Sequence, residues 1–378
     1  MGDKEMLRPA RILEITSYPP PRAGWGVRVQ MLKRHLEAHG HECTVLNIGQ
    51  SRRIPSDEYE TVMNGFDYVR KLWRFSLRGY VAHVHVNGQS TQGFAIALTA
   101  MFVNLLCGRR CVLTFHGGID QIYFPRPRYP WLLPMFWTMF AVPRRIICNS
   151  PAVGERIQEY GVAPAKIVSI QAFSRQYLEF EPRQLDQRFE AFFRKFPVIV
   201  LSYINLRPSF YPLEMLEGFA RAAGRHPDWG LVLCGVAGYP EEPVVRATRV
   251  RLSHPDLAGR VCVIDDLDHD EFLTALSRSA VFLRSPVSDG VCSSVLEALS
   301  LRIPVVAAEN GHRPEGVVTY TVTNPEHLSA VLTDVIARRE IVAASLPVPY
   351  IPDTLTVEAD VLIGSAAGET KDPDVCAA

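Results

Sequence analysis

Short apolar runs alternate with amphipathic helical patterns along most of this chain, and the alternation begins twice. It first appears at residues 11–16 (RILEIT) and begins again at Val198, after a polar and aromatic stretch at 174–196. Such alternation predicts a parallel sheet with helices on both faces. Because 378 residues suit two cores better than one, the second start predicts two tandem, doubly wound, Rossmann-like domains.

The expected boundaries follow the same pattern. The first domain is predicted to span residues 1–190 and the second residues 191–341. The pattern fades after residue 342, so residues 342–378, which are small and polar towards the end, are predicted to form a partly disordered tail. Within the first domain, a helix from Val27 to His39 is predicted to end at Gly40.

Charge is unevenly distributed although the whole chain is neutral. Residues 1–180 hold 22 Lys and Arg against 13 Asp and Glu, which gives +9, and the remainder must then carry −9. A basic first half favours an anionic partner. No nucleic-acid-binding motif accompanies the charge, so a membrane surface or a lipid phosphate is the expected partner rather than nucleic acid.

The cysteines and the first residues predict a cytoplasmic protein. The eight cysteines include no Cys-x-x-Cys pair, and most lie in apolar runs, which is typical of buried thiols in a reducing compartment. The first residues lead directly into a strand without a secretory signal. No run is long and apolar enough for a transmembrane span.

The strongest functional motif lies at residues 285–311 (SPVSDGVCSSVLEALSLRIPVVAAENG). It predicts a loop, a helix that begins near Ser293 and a buried strand around Val305. The free N–H groups at a helix N-terminus favour a phosphate. Asp289 and Glu297 lie eight residues apart, a little over two helical turns, so both carboxylates can point to one site.

This stretch closely resembles the nucleotide-sugar motif of glycosyltransferase family 4, whose members are retaining enzymes with the GT-B fold. The motif is an acidic residue, seven residues and Glu, then a Pro-Val-Val-Ala strand, here Asp289, Glu297 and residues 304–307. The resemblance implies two Rossmann-like domains that face a central cleft, with the nucleotide-sugar donor in the second domain. It also implies that Glu297 holds the ribose, that Asp289 faces sugar hydroxyls, and that the diphosphate meets the backbone N–H groups of Gly290, Val291, Cys292, Ser293 and Ser294.

Two further segments of the first domain carry the resemblance. Gly24 and Gly26 follow the first strand, where glycines let backbone N–H groups approach a phosphate or a sugar. The family has a Gly-Gly pair here, which Trp25 interrupts. His116, in a Thr-x-His-Gly stretch at the end of a predicted strand, lies where ligands bind in such sheets, and the resemblance implies that it contacts the donor sugar.

Metal binding is not expected. His83 and His85 share one face of a predicted strand, but no third ligand accompanies them in the sequence, and packing is the simpler interpretation. The acidic run at residues 265–270 resembles a metal site, but Asp268 is better interpreted as a helix N-cap. No prosthetic group is predicted, and the donor implied is a UDP-sugar or a GDP-sugar.

One departure from the family concerns the diphosphate. The family pattern Gly-Arg-Leu-x-x-x-Lys-Gly supplies two cations after the first strand of the second domain, and aligned from Ser202 this chain has Tyr203 and Pro208 at those positions. Arg207 keeps a cation one residue away. Because the departing diphosphate needs charge compensation, Arg207 is the candidate for this task.

Residues 126–145 combine aromatic and aliphatic residues with arginines at both ends. This composition is typical of a membrane interface, although a buried helix of the Rossmann fold explains it equally well. The first interpretation predicts peripheral docking on the cytoplasmic leaflet, where lipid-linked acceptors lie.

The sequence therefore predicts a retaining hexosyltransferase that moves a sugar from a nucleotide-diphosphate donor to a glycan or a lipid-linked acceptor in surface polysaccharide synthesis. The alternative is a GT-B protein that binds nucleotide sugars with weak or no turnover. A sugar-nucleotide epimerase shares the architecture but would lack the Pro-Val-Val-Ala motif in this form.

Overall fold

The computed structural model of the chain describes residues 9–19, 24–88, 90–118, 121–126, 129–235, 242–264, 267–287 and 292–368. Contacts divide the chain into two compact units. Unit 1 consists of residues 1–176 and 352–378, and unit 2 consists of residues 177–351. Each unit contains a six-stranded parallel sheet, so the predicted pair of α/β domains is confirmed.

The sheet of unit 1 has the order β2-β1-β3-β4-β5-β6. Its strands are β1 (Arg11–Thr16), β2 (Glu42–Asn47), β3 (Val81–Val86), β4 (Val112–Phe115), β5 (Arg145–Cys148) and β6 (Ile167–Ser169). The helices between them are α1 (Gly24–Ala38), α2 (Gly65–Leu77), α3 (Thr91–Leu106), α4 (Leu133–Ala141) and α5 (Pro151–Gln158). After β1 the chain continues to β2 at one side of the sheet, and after β3 it continues to β4 on the other side. Ligands are therefore expected beyond the carboxyl ends of β1 and β3.

The sheet of unit 2 has the order β12-β11-β10-β7-β8-β9. Its strands are β7 (Val198–Tyr203), β8 (Trp229–Cys234), β9 (Val261–Ile264), β10 (Val281–Arg284), β11 (Val305–Ala308) and β12 (Val318–Tyr320). Its helices are α6 (Gln187–Lys195), α7 (Pro212–Ala223), α8 (Pro243–Leu252), α9 (His269–Ser277), α10 (Ser293–Ser300), α11 (Pro325–Ala337) and α12 (Arg339–Ser345). The strand order reverses between β7 and β10, which is the corresponding ligand position.

Both sheets are covered by helices on their two faces, so their central strands are apolar without alternation. Every residue of β3, β4, β8 and β11 is buried. The buried side chains of unit 1 nevertheless include Glu14 on β1 and both His83 and His85 on β3, which carry charge or proton-transfer chemistry. Buried polar groups of this kind need partners, and they form the centre of the site described below.

The end of the chain differs from the expectation. Helix α13 (Thr354–Ala367) forms within the segment predicted as a tail, and it belongs to unit 1. Leu355 and Leu362 pack in one apolar cluster with Leu32 and Leu36 of α1. Arg28 of α1 also donates to Glu358 of α13 across 330 residues of sequence. The helix was missed because its partners lie at the opposite end of the sequence.

Helix ends with a signal in the neighbouring residues form where the sequence predicts them. Gly40, two residues after the end of α1, has a φ of 81°, in the left-handed region that favours glycine at a helix end. Asp268 forms a capping box with Glu271 at the start of α9, which confirms it as an N-cap. Seven cysteines lie among the described residues, and all of them are free thiols.

Candidate functional site

In unit 2 the loops that follow β7 and β10 are tied together at the strand ends. Arg284, the last residue of β10, donates to the carbonyl of Tyr203 at 2.7 Å, and its guanidinium lies 5.4 Å from the ring centroid of Phe210. The hydroxyl of Ser285 donates to the carbonyl of Phe210 at 2.5 Å. A buried arginine thus holds the two loops beside the position where strand order reverses.

Helix α10 follows the second of these loops. Cys292 is its N-cap and makes no side-chain capping bond, and the Cys292 Sγ and Ser294 Oγ atoms lie 3.2 Å apart. Ser293 and Ser294 are partly exposed in the first turn, so this end can accept an anion. Asp289, Gly290 and Val291, which the sequence assigned to the donor site, lie outside the described residues.

Glu297 is buried in the second turn of α10, at 5% exposure. Its Oε1 atom lies 2.9 Å from Nε2 of His269, the first residue of α9. The Nδ1 atom of His269 is buried and has no hydrogen-bond partner among the described residues. The sequence identified Glu297 but not His269, because only the packing of α9 against α10 brings the two together.

Arg207 is exposed in the loop after β7 and makes no ion pair with a described residue. A second alignment with the family pattern starts from the backbone of this loop. Tyr211, the N-cap of α7, has a φ of 50°, which is the conformation that favours glycine. Placing the last glycine of the pattern at Tyr211 makes its leucine coincide with Leu206. The two cationic positions are then occupied by Asn205 and Phe210 rather than by Tyr203 and Pro208.

Unit 1 contains a chain of hydrogen bonds that crosses three strands. His83 lies between Thr114 Oγ1, at 2.7 Å from Nε2, and Glu14 Oε1, at 2.9 Å from Nδ1. The other oxygen of Glu14 lies 2.7 Å from Nε2 of His85. Nδ1 of His85 then lies 2.9 Å from Nε2 of His116. The chain therefore leads from the buried sheet to His116, which is half-buried at the end of β4.

Charge is distributed unequally among the titratable residues of this hydrogen-bond chain. Burial alone would raise the pKa of Glu14, but the charge and hydrogen bonds of His83 and His85 lower it to about 2. Burial opposes the charge on His83, yet Glu14 raises the pKa of His83 above its usual value. Burial and the neighbouring His83 lower the pKa of His85. Burial, His85 and Arg28 lower the pKa of His116 well below its usual value. These directions favour charge on Glu14 and His83 and oppose charge on His85 and His116.

The structure also supplies the third ligand that the sequence lacked. Glu14, His83 and His85 offer a carboxylate oxygen and two ring nitrogens within 4.8 Å of one another, which is a set that zinc accepts. In the structure these same atoms bind one another as hydrogen-bond donors and acceptors. The same three side chains thus form a continuous hydrogen-bond network.

The glycine-rich loop meets His116. Gly24 begins α1, and a Cβ atom added to Gly26 would lie 3.3 Å from both Pro19 and the carbonyl of Ser17, so the loop packs tightly there. The ring of Trp25 lies 4.7 Å from the His116 ring in an edge-to-face arrangement. Trp25, which interrupts the glycine pair of the family pattern, is therefore a contact of the candidate histidine.

Two family models match the chain. The model described as Glycosyltransferase Family 4 matches residues 23–172, and the model described as Glycosyl transferases group 1 matches residues 184–341. No protein in the curated set matches the chain significantly.

Several solved structures share the architecture. Anabaena Alr3699/HepE in complex with UDP-glucose is 12% identical with a TM-score of 0.63, over 94% of this chain and 98% of that one. A glycosyltransferase from Rickettsia africae ESF-5 is 12% identical with a TM-score of 0.63, over 94% and 99%. A putative UDP-N-acetylglucosamine 2-epimerase from Listeria monocytogenes is 17% identical with a TM-score of 0.61, over 98% and 100%. At these identities the likeness concerns the fold alone.

Proposed function

The chain belongs to the group 1 glycosyltransferases of family 4, which depend on nucleotide sugars, and from this premise we propose that it is a retaining hexosyltransferase whose unit 2 binds a UDP-sugar or a GDP-sugar. The observation that carries the donor assignment is Glu297, a carboxylate buried one turn inside the N-terminus of α10. A buried carboxylate with an unshared oxygen suits a ribose diol, which offers two hydroxyl donors. The end of α10 suits the diphosphate.

The diphosphate is proposed to be neutralised in an unusual way. Neither position at which the family carries a cation is basic here, since Asn205 and Phe210 occupy them. Arg207 is exposed in the same loop, and Arg284 places its guanidinium over Phe210. We assign the compensating charge to Arg207, with Arg284 holding the loop that carries it. The removal of one such cation commonly costs about a hundredfold in rate.

The proposed reaction replaces one bond of the sugar. The bond from the anomeric carbon to the diphosphate oxygen breaks, and a bond to the acceptor hydroxyl oxygen forms on the same face. The hydroxyl proton passes to the departing diphosphate, so no protein nucleophile is required. The acceptor is proposed to be a glycan or a lipid-linked glycan of surface polysaccharide synthesis. His116 and Asp289 are proposed to contact sugar hydroxyls.

Thermal unfolding with a panel of UDP-sugars and GDP-sugars tests the donor site. A donor at a hundred times its dissociation constant should stabilise the protein by about 2.7 kcal/mol, which gives a measurable rise in melting temperature. The sugar that produces the shift then enters acceptor assays. If no member of the panel shifts the melting temperature, the proposed donor class is wrong.

The alternative is a donor-binding protein with little turnover, and the two missing cations favour it. Turnover separates the two functions. We expect nucleotide diphosphate to be released in the presence of donor and acceptor, and Arg207→Gln to lower this rate about a hundredfold. A donor that stabilises the protein but is never consumed with any acceptor would support the alternative.

The acceptor is proposed to be reached at an anionic membrane surface. Among the described residues, no helix has the length and hydrophobicity needed to cross a bilayer. At α4 and the turn before it, however, Trp131 is 70% exposed and Trp137 is 60% exposed. Exposed Phe102 and Leu106 lie on α3, which packs beside α4. Aromatic side chains of this kind, on a basic unit, suit a lipid interface.

Only some of the arginines that flank this segment are exposed as a lipid contact would require. Arg126 is exposed, but Arg145 is buried in β5 and donates to the carbonyl of Ala165. Arg145 is a structural residue because β5 is covered on both faces, and Arg128 lies outside the described residues. The lipid contact is therefore proposed to rest mainly on the two tryptophans.

Flotation with vesicles that contain about one-third anionic lipid tests this contact. We expect the double variant Trp131→Ser/Trp137→Ser to lower the bound fraction about tenfold, because two large apolar side chains no longer enter the interface. Tyr350→Ser, at a site 78% exposed in unit 2, is the matched control and should leave binding unchanged. Failure of the unaltered protein to float at moderate salt would rule out the contact.

A further inference from the structure

The hydrogen-bond chain of unit 1 ends at His116, the residue proposed to contact a sugar hydroxyl. The donor and acceptor atoms along it follow from its buried end. Glu14 is fully buried and ionised, and an ionised carboxylate can only accept hydrogen bonds. Nε2 of His85, at 2.7 Å from Glu14 Oε2, must therefore carry a proton. His83 and His85 share this one carboxylate, and their ring centroids lie 4.2 Å apart, so a positive charge on both rings is unfavourable. With the charge on His83, the Nδ1 atom of His85 has a lone pair and no proton.

The next bond then has only one direction. Nε2 of His116 lies 2.9 Å from Nδ1 of His85. Since Nδ1 of His85 accepts, Nε2 of His116 must donate. A neutral His116 with its proton on Nε2 has a bare Nδ1 atom. No described residue hydrogen-bonds this Nδ1 atom, and the His116 ring is half-buried, so the lone pair is available to a ligand.

We propose that Glu14 and His85 are positioning residues that fix the tautomer of His116, so that Nδ1 of His116 accepts a hydrogen bond from a sugar hydroxyl. The inference rests on the proposed function for the identity of the ligand, but the tautomer itself does not depend on it. This sequence of hydrogen bonds excludes the opposite arrangement, in which His116 would donate from Nδ1. It therefore selects a hydroxyl that donates, and it discriminates against a group that only accepts.

The surroundings support a fixed tautomer rather than a mobile ring. Trp25 contacts the ring of His116 edge-on, and the His116 ring is stacked on that of His85 with an interplanar angle of 13°. The side chain of Asn149 donates to the carbonyl of His116 at 3.1 Å. On the other side of Glu14, His83 is held by Thr114. Every member of the chain is thus restrained by a second contact.

Nitrogen NMR of protein labelled with ¹⁵N-histidine tests the tautomer directly. We expect the proton of the His85–His116 bond on Nε2 of His116, with a through-bond nitrogen–nitrogen coupling to Nδ1 of His85. A proton on Nδ1 of His85, or on Nδ1 of His116, would overturn the inference. Displacement of the His83 and His85 signals by stoichiometric zinc, with loss of the coupling, would also overturn it and assign the cluster to a metal.

Two variants separate positioning from simple packing. Glu14→Gln offers either an oxygen or an NH₂ group to His85, so a second tautomer of His116 should appear, and kcat/KM for the identified donor should fall about fivefold or more. Tyr68→Phe is the matched control, because it removes a hydrogen bond of unit 1 outside the cluster, from the buried Tyr68 to the carbonyl of Ile96 at 2.9 Å, and leaves the path to His116 intact. It should retain a single tautomer and a kcat/KM within about twofold of the unaltered protein.

The outcomes separate the proposed function from the tautomer of His116. Equal losses of activity in the two variants, with one unchanged tautomer, would reduce Glu14 to a structural residue and overturn the inference. If no donor binds, the proposed function fails while the NMR result still decides the tautomer. If a donor binds and turns over while the proton lies on Nδ1 of His116, the tautomer inference fails alone.

Discussion

We expect Arg28→Met to lower the free energy of unfolding by about 3–5 kcal/mol, which is the usual effect of removing one partner from a buried ion pair. The side chains of Arg28 and Glu358 are 4% and 1% exposed. Arg28 also donates to the carbonyls of Gln171 and Ala172 at 3.0 and 2.5 Å. The substitution leaves a carboxylate and two carbonyls without their donor in a dry environment.

Urea unfolding measures this loss, and a control on the same helix isolates burial. Lys33→Met removes an exposed pair with Glu37, and we expect a change of about 0.5 kcal/mol or less. The double variant Arg28→Met/Glu358→Leu should recover the part of the lost stability that comes from the unpaired charge, while the carbonyls of Gln171 and Ala172 still lack the Arg28 donor. Similar losses in Arg28→Met and Lys33→Met would show that burial of the pair has little effect.

The second large effect concerns Glu297. We expect Glu297→Ala to weaken donor binding about a hundredfold, because two hydrogen bonds from a diol to a buried carboxylate are worth roughly 1.5–3 kcal/mol each. The thermal shift produced by the donor should disappear at concentrations that saturate the unaltered protein. Calorimetric titration with the donor identified in the panel gives the ratio of dissociation constants.

His269 provides the control for this experiment. His269→Asn removes the contact seen at 2.9 Å but keeps the carboxylate, so donor affinity should change by less than about tenfold. If Glu297 serves only to hold α9 against α10, the two variants should lose stability to a similar extent and keep their affinity for the donor. That result would contradict the assignment of Glu297 to the ribose.

The sequence predicted those elements whose signals are local. Strand β1 was predicted at residues 11–16 and forms there, because a buried parallel strand is recognisable as a short apolar run. The start of α9 was predicted from Asp268, whose capping box depends on four consecutive residues. Glu297 is a candidate because its stretch resembles the family motif, and its role in donor binding stays a prediction.

Features that depend on distant parts of the chain were not predicted. Glu14 lies between apolar residues of β1, and its contacts appear only when β1, β3 and β4 lie side by side. The partner of α13 is 330 residues away, so its sequence alone gave no reason to expect it to pack. The second alignment of the loop after β7 rests on the backbone conformation of Tyr211, which the sequence alone does not show.

The return of α13 to unit 1 has a consequence for synthesis on the ribosome. Domains that are encoded first generally fold first, but unit 1 needs residues 352–368 to complete the apolar cluster with α1. Unit 2 is continuous from residue 177 to 351 and is complete before those residues are made. We therefore expect unit 2 to fold completely before unit 1 does. The ion pair between Arg28 and Glu358 can form only after Glu358 has left the ribosome exit tunnel.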